Sequence, residues 1–348
     1  MNAKISFLLL TLPALLLLQG CGPRGGRVPP TVAEPSLPEV LPAPPDTVTV
    51  RIIGDVMMHR GQIEVARTRA RSLSDTLREF DFTPFLDSIA PVLCEADLAI
   101  AGMEFTMAGE PYTGYPAFSA PDAYADYMAD CGIDVFLTAN NHILDKRIKG
   151  LKRTIRTLDT LEARGRIRYT GIAAPGDTLR NPLIVRVKDQ KIAIINFTYG
   201  TNCYPELDHH IVCFQDSTVF PMITKAKERG ADFVLVCPHW GEEYVLTHNQ
   251  SQEDWAVKLA QAGADAIIGA HPHVVQDAAR ITTTDGRVVP VYYSLGNAVS
   301  NMSAPNTQDE LMVTLLISEG KLVSISHSWL HCYLPNQLTD SYTTVFLN

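Results

Sequence analysis

Gly269-Ala-His271-Pro-His273-Val-Val-Gln276 follows a strand-length apolar run, Ala264–Gly269, and sets two histidines on alternate residues just past its end. Alternation of this kind can aim both imidazoles into one cleft beyond the strand. Moving outward along the chain, ligand-type residues follow other strand-length runs in the same way. Gly54-Asp55 follows Thr47–Ile53, Glu104 follows Asp97–Ala101, and Asn140-Asn141-His142 follows Asp134–Ala139. His239 follows Asp232–Cys237, and Asn297 follows Val288–Leu295. Further strands are expected over Leu183–Val187, Lys191–Phe197, Leu311–Ser318 and Leu322–Leu330, with tight turns at residues 187–191 and 318–321. Helical patterns at Gln62–Glu79, Pro84–Glu95, Pro121–Cys131, Ile148–Arg164, Val219–Arg229 and Gln252–Ala262 fall among these runs. The alternation defines an α/β protein. Sheets of that class bind ligands at the carboxyl ends of their strands, so six separate segments can converge on one spot.

Singly, each of these residues has an ordinary explanation: an Asp after a strand is usually a turn or cap residue, and a lone His is usually a hydrogen-bonded structural one. As a set they differ. The carboxylates Asp55 and Glu104, the amide of Asn141 and the imidazoles of His239, His271 and His273 combine hard oxygen with borderline nitrogen donors, the mixture that divalent transition metals take. Competing chemistries lack their local geometry: GxSxG and GxxxxGK[ST] are absent, and the GxGxxG spacing at Gly20–Gly25 falls at the junction of leader and tether rather than after a strand of the body. Cys237 lies two residues before His239, where strand alternation assigns it to the strand rather than to a Cys–His pair. The run Trp240-Gly241-Glu242-Glu243-Tyr244 reads equally as a pocket wall or as a packed loop.

The 348-residue chain carries a formal charge of −9, with 46% hydrophobic and 19% charged residues. That composition supplies a large core, and the acidic balance with no basic cluster argues against nucleic acid as a partner. Residues 1–20 read as a targeting segment: Lys4, an apolar run from Ile5 to Leu18, then Leu18-Gln19-Gly20-Cys21. The run is short for a permanent membrane span, and the small residues before Cys21 resemble the bacterial lipobox. The expectation is cleavage before Cys21, acylation of that cysteine, and attachment to a membrane of the cell envelope on its periplasmic or outer-surface side. Residues 21–46 are a Pro/Gly-rich tether, and residues 47–348 form the folded body. Export favours disulfides, and a Cys203–Cys213 pair is expected, with Cys94, Cys131 and Cys237 as buried thiols.

The ordered series GDVMMHR, AGMEFT, TANNHILD, CPHWGEEY, GAHPHVVQ and YSLGN, spanning about Val50 to Asn301, resembles the motif series of the CapA family of poly-γ-glutamate capsule synthesis proteins. That family is similar to calcineurin-type metallophosphatases. The resemblance implies a four-layer α/β/β/α sandwich holding two divalent ions (Mn, Zn or Fe). Asp55 and His273 would hold one ion, Asn141, His239 and His271 the other, and Glu104 would bridge them. It also implies that His142 is the acid, oriented by Asp145. Asn140, Trp240, Glu243, Tyr244 and Asn297 would line or back the site. Implied partners are an anionic envelope polymer or its precursor and capsule synthesis or export proteins. Hydrolysis is the activity implied, by way of a phosphoester or a γ-glutamyl amide; the alternative is a non-catalytic assembly subunit. Two positions depart from the pattern: Gly102 stands where Asn is common, and Met57 where metallophosphatases place a histidine, with His59 as its possible replacement.

Overall fold

A computed structural model describes residues 46–73, 78–173, 182–202 and 216–347. The expected leader, the acylated Cys21, nearly all of the tether, and Cys203 and Cys213 lie outside the described residues. Two sheets form the body. In the first, β1 (Val48–Met57) is central, parallel to β2 (Leu98–Glu104), which continues to β3 (Val135–Leu137) and β4 (Arg168–Thr170). On its other side β1 pairs antiparallel with β12 (Asp309–Ser318), then β13 (Lys321–Tyr333) and β14 (Thr343–Phe346). The short β11 (Asn297–Val299) lies beside the end of β1. The second sheet runs β5 (Leu183–Val187), β6 (Gln190–Thr198), β7 (Phe233–His239), β8 (Ala266–Ile268), β10 (Val288–Tyr292) and β9 (Ala278–Thr282).

The strands are apolar on both faces because both faces are covered. In β2, Leu98 and Ile100 enter the core between the sheets, whereas Ala99, Ala101 and Met103 enter an outer core. The period of two repeats in β7, with Phe233, Leu235 and Cys237 inward and Val234 and Val236 outward. Helices cover each outer face. On the first lie α1 (Arg60–Ser72), α2 (Ala90–Cys94), α3 (Asp122–Asp130) and α4 (Arg147–Ala163). The second carries α5 (Asp216–Glu228) and α6 (Gln250–Ala262). α4 buries Leu151, Ile155, Leu158 and Leu161 at helical spacing. α6 starts at the Asn249 cap, which accepts from Gln252 N at 2.9 Å, and ends at Gly263, whose φ of 116° only glycine adopts freely. The four-layer α/β/β/α sandwich expected from the sequence is the fold observed.

Some details differ from the sequence reading. The helix expected over Pro84–Glu95 is mostly a chain of tight turns, with Phe85 N bonded to Phe82 O and Ile89 N to Leu86 O, and only Ala90–Cys94 is helical. Pro91, inside that stretch, removes a donor that a continuous helix would use. Cys94, expected to be buried, is exposed, while Cys131 and Cys237 are buried free thiols. β4, β9, β11 and β14 were not anticipated, each being five residues or fewer. Both hairpin turns are present, with Lys188 at φ 51° and Glu319–Gly320 at 50° and 69°. No helix among the described residues is long and apolar enough to cross a membrane.

Candidate metal centre

The carboxyl ends of strands from both sheets meet at one place. From the first sheet come Asp55 on β1, Glu104 at the end of β2 and Asn141 after β3; from the second come His239 at the end of β7 and His271 and His273 after β8. All six are buried, none more than 3% exposed. His239 sits between the carboxylates: its Nδ1 is 3.8 Å from Asp55 Oδ1 and its Nε2 is 3.7 Å from Glu104 Oε1. Neither is a hydrogen-bond distance. Asn141 Oδ1 is 2.8 Å from His239 Nε2, and the His239 and His271 ring centres are 4.7 Å apart. His273 Nδ1 lies 2.9 Å from Asn297 Oδ1 and 3.8 Å from Glu104 Oε2. Asn297 Nδ2 faces the Thr307 and His273 carbonyls at 3.1 and 3.4 Å, which fixes its oxygen towards the ring and makes His273 Nδ1 the donor. The compact carboxylate–imidazole triple is Glu104, His271 and His273, with ligand atoms within 4.8 Å of one another. It takes one histidine from each of the two ligand sets that the resemblance implies.

Local backbone places these groups. Glu310, 256 residues away in the chain, accepts Gly54 N–H at 2.6 Å, and Asp55 N–H bonds Gly296 O at 3.1 Å. Asp55 Oδ2 accepts the His271 N–H at 3.0 Å. Gly102 is required by this packing, since a Cβ there would lie 2.5 Å from Asp55 Oδ1; an Asn at that position would collide with the carboxylate. His271 and His273 adopt φ values of 101° and 59°, which are unfavourable for residues other than glycine.

The electrostatics test whether these residues suit a cation. Burial pushes the Asp55 carboxyl up to about 7, and burial together with Asp55 and Glu243 pushes Glu104 well above the carboxylate range. Burial and mutual repulsion push His239 and His271 well below the usual histidine value, and His273 is lowered to about 4, so the rings are neutral with lone pairs available. Both Glu104 oxygens and His271 Nδ1 are buried without a hydrogen-bond partner among the described residues. Orphaned acceptors of this kind are costly unless a cation satisfies them. The residues present fit a divalent metal.

His142 stands beside this group. Its Nδ1 is 2.9 Å from Asp145 Oδ2, the same oxygen that accepts Phe118 N–H at 2.8 Å, and its Nε2 is 3.3 Å from Asn202 Nδ2. Asn140 shapes the loop: its Nδ2 donates to Met103 O at 2.7 Å and its Oδ1 accepts His142 N–H at 3.0 Å. Of the run after His239, Trp240 belongs to the outer core: it is 1% exposed, its indole N–H bonds Tyr293 O at 2.8 Å, and it packs the fold rather than walling the site. Tyr244 is exposed, with its ring 6.2 Å from that of His273, and Glu243 is exposed nearby. Met57 faces the outer core. His59 is the residue before α1, with its Nδ1 3.0 Å from Gln62 Oε1.

Two aromatic residues that the sequence reading missed, Tyr115 and Tyr199, join the anticipated Tyr244 at the rim. Tyr115, Tyr199 and Tyr244 are the exposed aromatic side chains among the described residues. Each neighbours a different histidine: Tyr115 lies 6.4 Å from His142 and Tyr199 4.8 Å from His271. Tyr115 and Tyr199 sit in loop or strand-end segments without motif spacing, so nothing in the sequence distinguishes them. Asn202 has the same excuse. Glu310 carries a readable signal, a carboxyl heading the apolar run of β12.

Fold and centre together define a four-layer α/β/β/α protein with a buried carboxylate–imidazole centre built from both sheets. The chain belongs to the family described as bacterial capsule synthesis protein PGA_cap, whose sequence pattern matches residues 49–302. It is 26% identical over 281 residues to capsule biosynthesis protein CapA of Bacillus anthracis, covering 77% of this chain and 63% of that protein. With PGA biosynthesis protein CapA of Bacillus subtilis (strain 168), identity is 27% over 289 residues, 79% of this chain and 69% of that one. The chain therefore spans about two thirds of the length of these relatives. The calcineurin-like phosphoesterase YfkN from Bacillus subtilis is a looser likeness, with TM-score 0.47 and 15% identity over 81% of this chain and 90% of that one.

Proposed function

We propose that this protein is a metal-dependent hydrolase of the cell envelope, held to a membrane through acylated Cys21. In this reading it acts in capsule biosynthesis on an anionic polymer, poly-γ-glutamate or a related chain. The observation that carries the chemistry is Glu104, a fully buried carboxyl with two unpartnered oxygens facing neutral imidazoles on the opposite sheet. Divalent ions held by Asp55, Glu104, Asn141, His239, His271 and His273 would supply Lewis acidity and make water a nucleophile near neutral pH. The chain's own groups do the rest. The His271 N–H fixes the Asp55 carboxylate, and Asn297 fixes the His273 ring. Asp145 holds and orients the His142 ring through Nδ1, leaving Nε2 to deliver a proton to the departing group. The relatives' names and family membership support the capsule assignment, and the lipobox-like Leu18-Gln19-Gly20-Cys21 supports the anchor.

Elemental mass spectrometry on the full chain in detergent tests the centre, with hydrolysis of a phosphodiester and of γ-linked glutamate measured after manganese addition. Two ions per chain, lost in Glu104→Gln, with turnover of either substrate, is the expected result. One ion would reduce the centre to the Glu104–His271–His273 triple. No bound ion after manganese or zinc loading overturns the proposal in favour of a non-catalytic assembly subunit, the reading that Met57 in place of a histidine favours.

A further inference from the structure

A groove of about 470 Å³ opens beside His142, a size typical of small-ligand pockets. Arg60, Arg67 and Lys146 line it against a single lining carboxylate, Glu64. Three of its lining residues adjoin the surroundings of His142. Tyr115 lines the groove and faces the His142 ring. Lys146 directly follows Asp145, the partner of His142. Arg60 directly follows His59, whose ring meets Phe118 edge-on at 5.2 Å, while Phe118 meets His142 at 4.7 Å. Arg60 is paired with Glu64 at 2.7 Å and Arg67 with Glu79 at 2.8 Å. Lys146 makes no side-chain hydrogen bond or ion pair among the described residues.

A second groove, of about 420 Å³, shares the Tyr112 wall and has the opposite character, with Glu79, Asp81, Asp122, Asp126 and Asp130 against Arg78. An anionic chain leaving the centre past Tyr115 is thus drawn one way and repelled from the other. Between its cations the first groove presents Ile63, Pro116 and Ala117. Apolar surface between separated cations matches a chain whose carboxylates are spaced by methylene groups better than a densely charged phosphate chain.

We propose that this groove is a chain-binding subsite that holds a polycarboxylate strand beside the bond at the metal centre, with Lys146 as its anchoring cation and Tyr115 as the link to the centre. It extends the hydrolase reading above by giving the polymer a path, and rests on that reading only for what happens to the bond. The test is fluorescence anisotropy on the full chain in detergent with a labelled octamer of γ-linked glutamate, with hydrolysis assayed in parallel. Lys146→Gln is expected to weaken binding about two- to fivefold, the scale of one exposed charge contact, and Lys146→Arg to restore it. Adding Arg60→Gln and Arg67→Gln is expected to bring the loss to about tenfold or more, with wild-type binding fading as salt rises. Asp126→Asn in the opposite groove is expected not to weaken binding. Wild-type affinity in the triple variant, no binding of the octamer at all, or tighter binding of a short polyphosphate overturns the subsite. Binding that depends on Lys146 without any hydrolysis keeps the subsite and removes the hydrolase; hydrolysis with affinity indifferent to all three cations does the reverse.

Discussion

Asp145 does its work through one oxygen, which receives both the Phe118 N–H and the His142 ring. Asp145→Asn keeps the size of that group while removing the carboxylate that orients the His142 ring. Turnover is expected to fall about 10²–10³-fold, within the usual range for general acid catalysis, with KM little changed. A substrate with an activated phenolate leaving group is expected to lose much less than one with an alkoxide, because it needs no proton. Equal losses on both would remove His142 from the acid role. The ligand-type residues were legible because each follows a strand-length run, a position with geometric meaning in an α/β sheet. Their supports were not. Asn202 reaches His142 across 60 residues and Glu310 reaches Gly54 across 256, and no local spacing encodes such pairs. Trp240 shows the converse: adjacency to His239 in sequence placed it at the site, but consecutive residues of an extended segment point to opposite sides, and its side chain went to the outer core.

At the scale of elements, the end of β1 is held against the Leu295–Gly296 turn so closely that Gly54 has no room for a side chain, its ideal Cβ lying 2.1 Å from Gly296 O. The obstacle is backbone, which cannot swing aside. Gly54→Ala is expected to destabilise the protein by about 2–3 kcal/mol, an overpacking cost, read as a lower urea midpoint with unchanged slope. A midpoint equal to wild type would show that the two segments can part. β1, β2, β6 and β7 were readable because burial on both faces leaves a continuous apolar run. The chain at Pro84–Glu95 misled because its apolar spacing suits a helix, yet Pro91 inside it cannot donate to the carbonyl four residues back and the chain before it turns tightly instead. The short β4, β9, β11 and β14 owe their conformation to neighbouring strands and carry too few residues to declare a period.

Over the whole molecule, the centre takes ligand-type groups from both sheets, so an ion there cross-links the sandwich. Its effect on stability depends on pH with a definite sign. In the ion-free protein the folded-state values of Asp55 (about 7) and Glu104 lie above those of ordinary exposed carboxyls, so protonated carboxyls favour the fold below about pH 4. For Asp55 that contribution is lost as pH rises through about 7. An ion takes the place of those protons and binds best once they have left. The Tm difference between manganese-loaded and chelator-treated protein is therefore expected to be small at pH 5 and to widen by pH 8; an equal gap at both would separate the ion from these carboxyls. The left-handed φ angles of His271 and His273 carry a different message. Strained positions of this kind cost about 1–3 kcal/mol each, and glycine would relieve the cost at once. Every generation that keeps histidine at both positions does so against the drift of the backbone. In a descendant that had stopped using the centre, the first trace of retirement would be a glycine at 271, a change that makes the protein steadier as it makes it idle.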